Sequence, residues 1–168
     1  MKKKAILLLC MILCIATLFI LGCVSEKGGG PPPDSPNKAL MRDSKASSEE
    51  LFQGELIVSK NAFDGKMTTR WGSKFANNEW IYVDLGEKIP VKEVVLKWEA
   101  AFGTEYLIEI SDDGENWTEV YHETAGDGGT DIIILEDGIV TQFVRMFGLG
   151  RGTPYGFSLW EFEVYSEI

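Results

Sequence analysis

The stretch Tyr106-Leu107-Ile108-Glu109-Ile110-Ser111-Asp112-Asp113-Gly114-Glu115-Asn116-Trp117 decides the fold. Tyr106, Ile108 and Ile110 alternate with their neighbours at the period of two that a half-buried strand imposes. An acidic turn, Asp112-Asp113-Gly114, ends that run, and Trp117 opens the next one. The same pattern repeats outward in both directions. Trp80 to Leu85 sets Ile81, Val83 and Leu85 on one face, and Val94, Leu96 and Trp98 alternate after it. Trp117 to Tyr121, Asp131 to Leu135, Thr141 to Phe147 and Leu159 to Tyr165 complete the set. Leu85-Gly86-Glu87, Gly126-Asp127-Gly128-Gly129 and Glu136-Asp137-Gly138 punctuate it as turns. Ser47 to Leu51 is compatible with one helical turn, and no long amphipathic helix is evident. Short strands in such succession specify an all-β sandwich or barrel. They do not name a ligand.

The N-terminal segment carries an address. Lys2, Lys3 and Lys4 precede a nearly unbroken apolar run from Ala5 to Leu21, which ends in Ile20-Leu21-Gly22-Cys23. That ending matches a lipobox, so residues 1–22 are expected to be a lipoprotein signal peptide, with lipid attached to Cys23 after cleavage. An uncleaved membrane helix is the alternative, since the run sits at the short end of the roughly 17–25 residues that span a bilayer. Either way the remainder faces outward, at the extracellular face of the cell membrane. Residues 23–40 read as a Gly/Pro-rich spacer, and residues 41–168 as one domain, large enough to bury a core of its own.

The cysteines agree with that division. Cys10 and Cys14 fall inside the signal, which leaves Cys23 alone, so no disulfide can form within the domain. The net charge is −10 over 168 residues. Loss of residues 1–22 removes three lysines and no acid, which takes it to about −13. Such a surface argues against nucleic acid, whose binding rests on Lys and Arg neutralising phosphates. It also argues against docking on anionic lipid. Neutral sugars are compatible with it, and cationic amino sugars are mildly favoured.

Catalysis finds no support. His122 is the only histidine, and by itself it builds neither a triad nor a zinc site. No Gly-x-Ser-x-Gly elbow and no phosphate loop is present; the Gly126–Gly129 cluster is a hairpin turn, with no helix after it. Among 26 acidic residues some carboxylate pair will always reach a glycosidase-like spacing, so that observation carries no weight.

Two segments hold oxygen-rich chemistry. Asn61 to Trp71, NAFDGKMTTRW, is an Asp-Gly turn with a carboxylate at Asp64 and a hydroxyl at Thr69. Ser158 to Tyr165, SLWEFEVY, is a strand with Glu161 beside the carbonyl of Trp160. Calcium takes six to eight oxygens of these kinds. Taken with YLIEISDDGENW between them, and with WEAAFGTE and FVRMFGLGRGTPYGF, these segments resemble the discoidin, or coagulation factor 5/8 type C, family. Within it they look like carbohydrate-binding modules of family 32, of the type attached to chitosanases and β-1,3-glucanases. The resemblance runs from about Asp43 to Ser166.

The resemblance implies an eight-stranded discoidin-like β-sandwich, a galactose-binding-domain-like jelly roll that binds sugar without cutting it. It implies a structural calcium ion held by side chains of Asp64, Thr69 and Glu161 and by main-chain carbonyls of Asn61, Lys66 and Trp160. Lys66 is an unusual neighbour for a cation, although its backbone can ligate while the ammonium points to water. Read without the family, Asp64 makes an Asx turn, Thr69 sits at a strand edge and Glu161 is solvated. Animal members usually clamp their termini with a disulfide. This chain cannot, and calcium joining the first turn to the last strand would serve a similar end.

The resemblance also implies that loops at one end of the sandwich converge on sugar. The candidates there are Glu50 and Glu99 as acceptors, Arg70 as donor, Tyr155 as the stacking ring, Phe75 as a second aromatic wall and Arg151 as a further donor. Arg70 admits a second role, bracing the calcium turn. Tyr155 admits one as a cap on the core, and Glu99 one as a solvated strand end. Trp71, Trp80, Trp98, Trp117 and Trp160 are assigned to the core. The function expected is a non-catalytic, surface-displayed module that holds a β-glucan or chitosan-like polysaccharide. The alternative is an adhesion or assembly domain that binds a protein or glycoprotein partner in a surface complex.

Overall fold

The computed structural model describes residues 35–167. The expected signal peptide, the lipidated Cys23 and most of the spacer lie outside the described residues. The packed region begins before position 41, the boundary expected from composition. Asn37 pairs with Tyr165, and its Oδ1 accepts from the backbone N–H of Ala39 and of Val164 at 3.0 and 3.1 Å. Ala39 is fully buried. The start of the domain is thereby tied to its last strand without a cystine.

Two antiparallel sheets face each other. One has the spatial order β1 (Asp43–Ala46), β5 (Glu79–Pro90), β10 (Val140–Arg151), β7 (Gly103–Ser111), β8 (Thr118–Glu123). The other runs β4 (Trp71–Gly72), β11 (Ser158–Tyr165), β6 (Glu93–Trp98), β9 (Thr130–Ile134). A separate hairpin pairs β2 (Glu50–Phe52) with β3 (Glu55–Ile57), and a single 3-10 turn spans Ser59–Phe63. The all-β sandwich is as expected. The strand number is higher than eight because β4 has only two residues and the β2–β3 hairpin stands outside both sheets.

Alternation explains the core. Ile81, Val83 and Leu85 of β5, Val144 and Met146 of β10, and Tyr106 and Ile108 of β7 point inward from the first sheet. Val94, Leu96 and Trp98 of β6 with Leu159, Phe162 and Val164 of β11 meet them from the second. Successive residues of a strand face opposite ways, so a single register places a whole set inside.

Three tryptophan assignments are corrected. Trp71 and Trp98 are buried, whereas Trp80, Trp117 and Trp160 are only half-buried. Trp80 alternates with Ile81 and therefore takes the outer face, where its ring stacks on Tyr82 with centroids 5.6 Å apart. Trp117 lies on the same face beneath the Arg145 guanidinium, 4.1 Å from its centroid. Arg145 Nε is in turn held by Glu109 Oε2 at 2.6 Å.

The helical turn expected over Ser47 to Leu51 is absent. Gln53 and Gly54 both take positive φ, 52° and 89°, which is the two-residue turn whose twist matches a hairpin. Leu51 pairs with Leu56 across it, and Phe52 with Glu55.

Candidate functional site

At one end of the sandwich a cavity of about 290 Å³ is lined by Glu50, Phe52, Arg70, Ser73, Glu99, Tyr155 and Ser158 together with short backbone segments. It gathers residues from the hairpin, the turn before β4, the end of β6 and the loop before β11. Four of the six expected sugar contacts converge there: Glu50, Arg70, Glu99 and Tyr155.

Arg70 is held rather than free. Its Nη1 donates to Ser158 Oγ at 2.8 Å and lies 3.4 Å from Glu50 Oε2. Ser158 Oγ in turn donates to the Trp71 carbonyl at 2.8 Å. The guanidinium also stands 5.5 Å from the centroid of Phe52. Both members of the Arg70–Glu50 pair keep 18% of their side-chain surface exposed. The pair is thus fixed in place and still reachable. Gly72 makes room for it, since a Cβ there would come within 2.7 Å of Arg70 Nη1 and 2.9 Å of Glu50 Oε2.

Glu99 follows the last residue of β6, and its backbone N–H donates to the Ser158 carbonyl at 2.9 Å. Its Oε2 receives only a long contact, 3.3 Å from the Ala101 N–H. No cation pairs with it among the described residues, in contrast to Glu50. Tyr155 is 59% exposed. Its ring meets Phe75 edge-on, centroids 5.7 Å apart at 80°. Phase for phase, then, Phe75 borders the cavity by bracing Tyr155 and does not line it. Arg151 is not brought to the cavity either. Its Nε donates to Asn77 Oδ1 at 2.9 Å, and its Nη1 to the carbonyls of Pro154 and Tyr155 at 3.1 and 2.9 Å. Those bonds shape the loop that carries Tyr155.

Sequence reading overlooked Phe52, Ser73 and Ser158. Gly54 marks a turn after Phe52, but it carries no sign that the ring reaches the cavity. The serines had none, because their role depends on neighbours distant in the chain. Ser73 Oγ accepts from the Phe157 N–H at 2.9 Å.

The candidate calcium residues come from two segments, the turn that precedes Arg70 and strand β11, where Glu161 faces the Gly65 and Lys66 backbone and the Asp64 charge. Asp64 accepts from the Lys66 N–H at 2.9 Å and from Thr69 Oγ1 at 2.8 and 3.0 Å, the Asx-type turn expected. Asn61 Nδ2 donates to the Arg70 carbonyl at 3.0 Å. The Lys66 ammonium is mostly exposed, 3.9 Å from Asp64. A β-bulge re-aims the residues after it, and the register between β11 and β6 shifts between Leu159 and Glu161. Glu161 is then covered, and only 2% of it is exposed. The solvated Glu161 of the family-free reading is therefore excluded.

Both Glu161 carboxylate oxygens are buried without a hydrogen-bond partner. Burial pushes its pKa up to about 7, opposed by the backbone N–H groups of Lys66 and Gly65 and assisted by the charges of Asp64 and Glu163. Those two amides act through their field, without hydrogen-bond geometry to Glu161. A buried carboxylate without a partner is costly, and a hard cation is the ligand that such oxygens accept. The donor set fits calcium. It contains two carboxylates, with hydroxyl and main-chain oxygens to supply the rest; no three His, Cys, Asp or Glu side chains converge among the described residues.

The family profile described as F5/8 type C domain matches residues 43–162. Chitosan-binding module 1 from the chitosanase/glucanase of Paenibacillus sp. IK-5 is 47% identical, with 77% of this chain and 98% of that one covered and a TM-score of 0.71. Chitosan-binding module 2 of the same enzyme, solved in complex with chitotriose, is 42% identical, with 77% and 99% covered and a TM-score of 0.71. Among curated proteins, the polysaccharide lyase 8 family protein HylA of Enterococcus faecalis is 32% identical over 118 residues, which is 66% of this chain and 8% of HylA. The match thus spans a small part of HylA but nearly the whole of each chitosan-binding module.

Proposed function

The chain belongs to the F5/8 type C domain family, and on that premise we propose that its cavity binds an oligosaccharide segment of a polysaccharide without cleaving it. The observation that carries this is the convergence of Glu50, Arg70, Glu99 and Tyr155 on one cavity. An aromatic face suits the CH side of a pyranose. A fixed arginine and carboxylates suit adjacent hydroxyls or an amino group through charge-assisted hydrogen bonds. Glu99, with no cation of its own, is the natural partner for an ammonium. This favours a chitosan-like amino sugar over a neutral β-glucan, in line with the two Paenibacillus modules.

Calcium and surface display complete the proposal. Glu161, Asp64 and Thr69 side chains, with carbonyls of Asn61, Lys66 and Trp160, would hold a structural calcium ion. Its chemistry there is to neutralise Glu161 and lock the 61–70 turn to β11. The lipid on Cys23 would tether the domain to the outer face of the membrane.

Affinity electrophoresis tests the binding reading. The protein is expected to be retarded in gels containing glycol chitosan, with Tyr155→Ala and Glu99→Ala running freely. Retardation by soluble β-1,3-glucan alone would shift the ligand to neutral sugars. Migration unchanged by either polymer, from folded protein, would remove the carbohydrate reading in favour of a protein partner.

A further inference from the structure

The β2–β3 hairpin is anchored at its base and free of both sheets beyond it. Trp71 Nε1 donates to the Ser48 carbonyl at 3.0 Å, Glu49 Oε1 accepts from the Ser59 N–H at 2.7 Å, and Ile57 is buried. Glu50 and Phe52, two residues apart, share one face of β2, and Glu50 pairs with the buried Ile57. That face is the one turned to the cavity, where both residues form part of the wall. Leu51 and Leu56 pair on the other face. Phe52 stays 48% exposed, so its ring is not consumed by the core. The Arg70 guanidinium stands over the ring, 5.5 Å from its centroid, and Arg70 is itself pinned by Ser158 and Glu50.

The cavity therefore has two aromatic walls of separate origin. Tyr155 stands on the loop before β11 with Phe75 at its edge, and Phe52 stands on the hairpin beside Arg70. Glu50, Arg70 and Glu99 supply the polar groups of the same cavity. We propose that Phe52 is a second sugar-stacking residue, holding the pyranose next to the one that stacks on Tyr155. This rests on the oligosaccharide reading and extends it, because a site with two stacking rings recognises a linked pair of sugars rather than a single residue.

Titration calorimetry with chitotriose and with the monosaccharide glucosamine tests the assignment. Phe52→Ala and Phe52→Leu are expected to weaken chitotriose roughly tenfold, the order of one lost aromatic stack, while glucosamine binding stays as in the wild type. Phe52→Trp is expected to keep the chitotriose affinity and to change its emission on ligand addition, which also shows that a variant at this position folds. Wild-type affinity in Phe52→Leu would overturn the proposal, since any apolar cover would then suffice. An equal loss for glucosamine and chitotriose would overturn it too, by placing both rings on one sugar. If Tyr155→Ala abolishes binding while Phe52→Leu does not, only this inference falls. Absence of chitotriose binding by the folded wild type would remove both it and the reading beneath it.

Discussion

Arg70 and Ser158 stand 88 positions apart in the chain, and Arg70 Nη1 donates to Ser158 Oγ at 2.8 Å. That bond joins the turn before β4 to the start of β11 and aims the guanidinium at the cavity. Asn61 Nδ2 holds the Arg70 carbonyl from the other side. Arg70 thus has its backbone bonded to the 61–70 turn and its side chain in the cavity.

Replacing Ser158 by alanine removes a tether from Arg70 and a donor from the buried Trp71 carbonyl. A loss of about 1–3 kcal/mol in stability is expected, the usual cost of an unpaired buried group. Chitosan-oligomer affinity should fall as well, though by less than in Arg70→Ala. Chemical denaturation and titration calorimetry separate the two effects.

Glu161 gives the calcium-free protein a specific pH dependence. Its pKa rises from an ordinary 4.5 to about 7 on folding. Between those values the unfolded chain releases a proton that the folded chain keeps, so stability is full below about 4.5 and declines as pH rises toward 7. In chelator, the melting temperature should be higher at pH 5 than at pH 8, with up to about 3 kcal/mol at stake. Calcium should raise it at pH 8, as any ligand of the folded state does. Glu161→Gln should raise the pH 8 chelator value and abolish the calcium effect. Scanning calorimetry under the four conditions reads all of this. Carboxylates held below their usual range, such as Asp113 and Glu123, act at lower pH and leave this window clear.

Gly72→Ala is expected to disturb binding more than stability. The added methyl meets the ends of two side chains, Arg70 Nη1 and Glu50 Oε2, which can swing aside at the expense of their placement. Gly156→Ala meets backbone instead, with Lys74 and Ser73 carbonyl oxygens 2.5 and 2.6 Å from the new carbon. It should lower the melting temperature strongly, whereas Gly72→Ala should lower sugar affinity with little change in melting.

Arg151→Ala distinguishes a loop brace from a sugar contact. Its bonds to Asn77, Pro154 and Tyr155 predict a loss smaller than that of Tyr155→Ala. Arg151→Lys should recover little, because one ammonium cannot span Asn77 and two carbonyls as a guanidinium fork does. Relative affinities for chitotriose decide it.

The strands, the turns between them and the oxygen-rich segments were legible in the sequence, because alternation and turn chemistry are local properties of the chain. Tyr106 and Ile108 faced the core as their spacing indicated. Period two tells which residues share a face but not which face is inside when both are large. Trp80 and Tyr82 lost to Ile81 and Val83 for the interior, and only the packing of the second sheet decided that. Asp64 showed its turn in five residues of sequence, whereas the burial of Glu161 required a bulge opposite Trp98 and Lys97. Phe52, Ser158 and the spent guanidinium of Arg151 were beyond sequence for the same reason. Their roles consist of contacts between segments that the chain keeps far apart, and only the closing of the two sheets brings those segments within hydrogen-bond reach.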